Sequence, residues 1–249
     1  MGVINIGIIG VGEVGNAIKQ IVEKKHTVFL RDKQYDGIKG QAIENLHICI
    51  PFTSNFISLV TDAILEIRPS LTILHSTVAP KTTETIQRKT KKSVVHVPIR
   101  GDHTRFGEDI LENFCLYIGS ISDKDAKTAK KYFHSLGVRN IEILQSPRET
   151  ELGKLFDTAY YAWNILFCKI TNTIVEKYDA NFEQVYKAFN TTYNQGYEKN
   201  RPEVRRPVLT PTPGPIGGHC IIPNAEILGN AIANPITTVI LEQNKKLSR

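Results

Sequence analysis

Cys220 closes the stretch PGPIGGHC, Pro213–Cys220, a loop crowded with proline and glycine and ending in a histidine and a thiol. A cysteine that only fills a core needs no such setting. A thiol meant to meet a substrate does, because glycine lets backbone come close and the thiolate is a strong nucleophile. The other three cysteines read differently. Cys49 in HICIPF and Cys115 in FCLYIG lie in apolar runs of strand character, and Cys168 lies in a helical pattern. Those three are expected to pack as small hydrophobes. No two cysteines form a C-x-x-C pair, so thiols in a reducing compartment are expected rather than disulfides.

The second chemical signal is GVGEVG, which follows the β-branched run Val3–Ile9. Gly10 permits a tight turn, Gly12 admits a pyrophosphate, and Gly15 lets helix pack on strand. Glu13 and Val14 complete the turn and open a helix, Asn16–Lys24, whose N-terminal N–H groups suit phosphate. A second strand, His26–Leu30, ends at Arg31 and Asp32. Asp32 stands where an acid accepts a ribose 2′-hydroxyl, so NAD is the expected cofactor in preference to NADP, with Arg31 next to it softening the preference.

These groups need a scaffold. Strands at His47–Pro51, Leu71–His75, Ser93–Val97, Cys115–Ile118 and Asn140–Leu144 alternate with helices at Ile57–Ile67, Thr82–Arg88 and Ser122–Leu136. That alternation predicts an α/β fold, a Rossmann-type doubly wound parallel sheet, followed by a mostly helical second domain. Ligands bind beyond the carboxyl ends of such strands, so Pro51, Ser76 and Thr77 are expected beside the cofactor. From Ser146 the texture changes. Glu149–Tyr178 reads as one long helix with Leu152, Leu155, Phe156, Ala159, Ala162, Trp163, Leu166, Ile170 and Ile174 at helical spacing. A shorter helix at Phe182–Asn190, an irregular run to Cys220 and a last helix at Ala225–Lys246, broken near Asn234–Pro235, complete the chain. The expected domains are 1–145 for NAD and 146–249 for dimerisation and substrate.

At 249 residues, 41% hydrophobic and 22% charged, the composition is that of a globular protein with a sizeable core. The apolar runs are too short to span a membrane, and the opening lacks the features of a signal peptide, so a cytoplasmic protein is expected. The net charge of +6 is scattered over QRKTKKS, RPEVRRP and the tail, without any nucleic-acid-binding signature. The expected partners are a small polar or anionic substrate and a second copy of the chain. Neither nucleic acid, membrane nor metal is expected.

Four stretches in one order, GVGEVG, HSTVAPKTTETI, ELGKLFDTAYYAWNILFCKITN and PGPIGGHCIIP, resemble the UDP-glucose/GDP-mannose dehydrogenase family. PGPIGGHCIIP is similar to the form found in the N-acetylhexosamine type. The resemblance covers the family's first two domains and not its third. It implies oxidation of a nucleotide-sugar alcohol with NAD, capture of the aldehyde by Cys220 as a thiohemiacetal, and release of a carboxylate after a second oxidation. It implies that Lys154 steadies the oxyanion, and that the chain dimerises on its long helix. Thr158 stands where the family has Asn, and Asn224 where it has Asp; the loop VPIRGDH lacks the family's Pro-Glu, with Ile99 in the acid's place. These departures leave two other expectations open. One is a two-electron β-hydroxyacid dehydrogenase-like enzyme, and the other is a non-catalytic NAD-binding or assembly protein.

Overall fold

The β-branched run near the start forms β1 (Asn5–Ile9) inside a six-stranded sheet. In chain order follow α1 (Glu13–Val22), β2 (Thr27–Asp32), β3 (Tyr35–Asp36), β4 (Asn45–Ile48), α2 (Phe56–Ile67), β5 (Leu71–Leu74), α3 (Thr82–Thr90) and β6 (Val94–His96). The strand order is β3-β2-β1-β4-β5-β6, with every pairing parallel except the short β2–β3 one. This is the doubly wound order of dinucleotide-binding folds, its third strand reduced to two antiparallel residues. The computed structural model describes residues 2–248 in two compact units, the first ending at Lys154 and the second beginning at Leu155.

The first unit continues through α4 (Phe106–Glu108), a π-helical turn (Asp109–Asn113), β7 (Leu116–Ile118), α5 (Asp123–Leu136) and β8 (Ile141–Ile143). β7 and β8 pair in parallel, and a bridge from His96 to Gly119 joins them to β6. Side chains alternate across the sheet as the pleat requires. Ile6, Ile8, Ile73, Val95 and Val97 pack toward one face with α1 and α5, while Leu46, Ile48, Leu74 and Val94 pack toward the other with α2 and α3. Burial on both faces explains why the strands read as continuous apolar runs. On α2 the inner face is filled by Phe56, Val60, Ala63 and Ile64, while Leu59 is 48% exposed.

A polar chain runs through this core. His75 Nδ1 lies 2.7 Å from the Val97 carbonyl, His75 Nε2 lies 2.8 Å from His47 Nδ1, and His47 Nε2 lies 2.9 Å from the Tyr132 hydroxyl. A carbonyl only accepts, so His75 Nδ1–H donates to it, His47 Nδ1–H donates to His75, and Tyr132 donates to His47. Burial keeps both rings neutral, and the bonds then fix each in one tautomer. Burial pushes the pKa of His47 well below 6.5, that of His75 to about 4 and that of His96 to about 3.

α6 (Pro147–Lys177) starts in the first unit and continues into the second. Its apolar residues fall in two separate stripes. Leu155, Ala159, Ala162 and Leu166 are buried, whereas Phe156, Tyr160, Trp163, Phe167, Ile170 and Ile174, at alternating spacings of four and three, are exposed. The helix expected at Phe182–Asn190 is a π-helical stretch (Glu183–Ala188) running into α7 (Phe189–Tyr197). The last helix is two, α8 (Ile221–Ala231) and α9 (Pro235–Leu247), broken where Asn234 caps α9 by accepting from Thr237 N. Among the described residues, no helix is long and apolar enough to cross a membrane.

Candidate active site

The glycine turn lies beyond the carboxyl end of β1, and its glycines are required by space as well as conformation. Gly10 has φ +92°, and a Cβ there would stand 2.6 Å from the Cys49 carbonyl oxygen. A Cβ on Gly15 would lie 1.9 Å from the Gly10 carbonyl oxygen. At Gly12, which caps α1, a Cβ would meet nothing within 4 Å. That open side at a helix N-terminus fits a pyrophosphate. Val14 packs half-buried on the core, and exposed Glu13 touches His103 from the loop after β6.

Asp32 ends β2 and turns back to the same turn. Its carboxylate accepts from Val11 N and Lys33 N, each at 2.7 Å, and the first of these chiefly holds its pKa below the usual range. It is exposed and charged, with room for further donors. Arg31 points to other partners. Its Nη1 and Nη2 donate to the two oxygens of Glu66 at 2.9 and 2.8 Å, and its Nε donates to Asp36 at 2.9 Å.

The loops after β4 and β5 hold the remaining residues expected beside the cofactor. Pro51 is exposed, Ser76 is buried and Thr77 is half-buried. Ser76 Oγ donates to the Ile50 carbonyl at 2.6 Å, and its own carbonyl accepts from His96 Nε2 at 3.1 Å. His96 Nδ1 is 2.8 Å from Thr150 Oγ1 on α6. The far end of this loop is held by Glu151, a fully buried carboxylate that accepts from Lys81 N at 2.6 Å, Thr83 N at 2.8 Å and Thr83 Oγ1 at 2.7 Å. Glu151 thus caps α3, whose own N-cap, Lys81, offers no side-chain bond. Burial pushes the Glu151 carboxyl up. Sequence reading missed this residue. The signal was present, because Glu151 and Lys169 fall at the ends of the buried stripe through Leu155, Ala159, Ala162 and Leu166.

Lys154 is half-buried on α6. One turn later, in the second unit, Thr158 Oγ1 donates to the Leu155 carbonyl at 3.0 Å and accepts from Asn224 Nδ2 at 3.3 Å. Asn224 is buried, and its backbone N–H donates to the Cys220 carbonyl at 2.9 Å. The structure therefore brings Thr158 and Asn224 together, with Cys220 one turn before Asn224. Cys220 is half-buried and caps α8, which begins at Ile221 and not near Ala225 as expected. Lys169 anchors the loop before it. This buried ammonium donates to Thr212 O, to Thr212 Oγ1 at 3.0 Å and to the Gly214 carbonyl at 2.9 Å. Asn244 accepts from Ile216 N at 2.6 Å.

No family model matches the chain. The UDP-N-acetyl-D-mannosamine dehydrogenase of Methanocaldococcus jannaschii is 28% identical over 174 residues, 66% of this chain and 38% of that enzyme. The chain thus spans well under half the length of the curated relatives it matches. Among solved structures, a UDP-D-ManNAc dehydrogenase from Pyrococcus horikoshii aligns with a TM-score of 0.82 at 17% identity, over 98% of this chain and 68% of that one. A 3-hydroxyisobutyrate dehydrogenase from Mycobacterium tuberculosis aligns at 0.72 and 13% identity, over 99% of this chain and 94% of that one. An independent sequence match thus bears out the resemblance over the N-terminal two thirds of the chain, and the fold is that of Rossmann-type dehydrogenases.

Proposed function

We propose that this chain is an NAD-dependent oxidoreductase acting on an alcohol of a small polar or anionic substrate, a nucleotide sugar by its relatives. The observation that carries the reading is the turn itself. Gly10 and Gly15 have no room for a side chain, Gly12 lies open at the end of α1, and Asp32 stands beside them charged and exposed. Gly12, Glu13, Val14 and the α1 N–H groups would hold the pyrophosphate, Asp32 the ribose, and Pro51, Ser76 and Thr77 the far end. Bound there, NAD supplies the hydride acceptor.

The residues of the chain supply the rest. Lys154 places a cation against the negative charge that develops on the substrate oxygen. Cys220 attacks the aldehyde carbon, and the adduct's oxygen takes up a proton to give a thiohemiacetal. The N-terminal end of a helix suits a thiolate in this step. Loss of a second hydride would leave a thioester for water to cleave. One observation favours the two-electron alternative. Thr158 and Asn224 are paired with each other, and neither takes a proton at neutral pH. A panel of alcohols, hydroxyacids and nucleotide sugars assayed for NADH and for carboxylate separates the two, since only the first reading gives two NADH per substrate.

The exposed stripe on α6 supports a homodimer. Six large apolar residues at heptad-like spacing form a self-complementary seam when a second copy packs against them. Trp163→Glu combined with Phe167→Glu is expected to give a monomer at micromolar concentration by sedimentation. A wild-type monomer would remove the dimer from the account.

A further inference from the structure

We propose that the Glu66–Arg31–Asp36 cluster makes the cradle reject a 2′-phosphorylated dinucleotide, an inference resting on the reading of the first turn as a dinucleotide site. Arg31 immediately precedes Asp32 at the end of β2. An arginine in that neighbourhood is the group that takes a ribose 2′-phosphate, because its planar fork donates two parallel hydrogen bonds. Here the fork is already engaged. Glu66, from the last turn of α2, accepts from Nη1 and Nη2, and Asp36, opposite Arg31 on β3, accepts from Nε.

The acceptors are themselves placed. Asp36 also accepts from Ile38 N and Lys39 N, each at 3.1 Å, so its carboxylate is fixed by its own turn. The Arg31 side chain is 17% exposed, while that of Glu66 is 54% exposed. Such a half-solvated cluster adds little to stability. β2 is in any case held along its length by β1. What the cluster does do is neutralise the arginine beside Asp32 and leave the ribose end to an acid. The two-residue β3, which departs from the parallel pattern, is the element that delivers Asp36. The nearby Lys33 and Lys39 offer single ammonium groups without the paired geometry of a guanidinium.

Calorimetric titration of the full chain with NAD and with NADP tests this. The variants are Glu66→Gln with Asp36→Asn, and the same pair combined with Arg31→Leu. The double variant is expected to bind NADP roughly tenfold tighter or more, the scale of one charge-assisted hydrogen bond, with NAD affinity nearly unchanged. Adding Arg31→Leu is expected to remove the gain. An unchanged NADP affinity in the double variant overturns the proposal, as does a gain that survives the loss of Arg31. If the wild type binds neither dinucleotide, the underlying cradle reading fails and takes this proposal with it; the NAD arm tells that outcome from the other two.

Discussion

Lowering the pH from 6.5 to about 5 is expected to remove several kcal/mol of stability from the first unit, a large share of the stability of a typical domain. His47, His75 and His96 are held neutral in the fold, whereas in the unfolded chain each takes up a proton near pH 6.5. A lowered folded pKa means that stability is full above 6.5 and falls as the pH drops. Each group loses about 1.4 kcal/mol per pH unit until its folded pKa is reached, about 4 for His75 and about 3 for His96. Burial gives the reason, since an added proton would place a charge on rings shut away from water. Most carboxylates titrate below this window; Glu151, pushed up by burial, opposes the fall, and His26, pushed down by burial, adds to it. Thermal unfolding followed by circular dichroism should show a steep fall in Tm. A flat profile would contradict the neutral histidine chain.

Cys220→Ser should lower carboxylate formation by about three orders of magnitude while leaving NAD affinity unchanged, because the serine is a poor trap for the aldehyde. In the two-electron reading the same variant keeps its activity, so this measurement decides between the readings. Lys154→Met is expected to lower kcat by roughly a hundredfold or more in both. Alkylation gives a check that needs no substrate. Burial pushes the thiols of Cys49, Cys115 and Cys168 up, so iodoacetamide at neutral pH should label Cys220 first. Preferential labelling of any other cysteine would count against Cys220 as the nucleophile.

Local patterns revealed most of the first unit because a doubly wound sheet writes itself into sequence. Its strands are apolar throughout, its helices are amphipathic, and its turns carry glycine. What stayed hidden depends on contacts far apart in the chain. β3 is two residues long and owes its existence to a turn. Glu151 caps a helix that begins some seventy residues earlier, at Thr82. α6 mixed two stripes into one apolar pattern, since a helix that buries one face and exposes another apolar face has no polar side to set its phase. The start of α8 was placed late because Pro223 and the preceding glycines suggest a loop, although proline is tolerated in a first helical turn. That shift carries chemical weight, since it turns Cys220 from a loop residue into a helix cap.

The central claim is that the turn from Gly10 to Gly15, with Asp32, holds a dinucleotide. Calorimetric titration of NAD into the wild-type chain and into Asp32→Ala tests it most directly. Saturable binding of one NAD per chain is expected for the wild type, weakened roughly tenfold in Asp32→Ala by the loss of a charged acceptor for the ribose hydroxyl. No binding heat in the wild type, or identical affinity in the two proteins, would contradict the account.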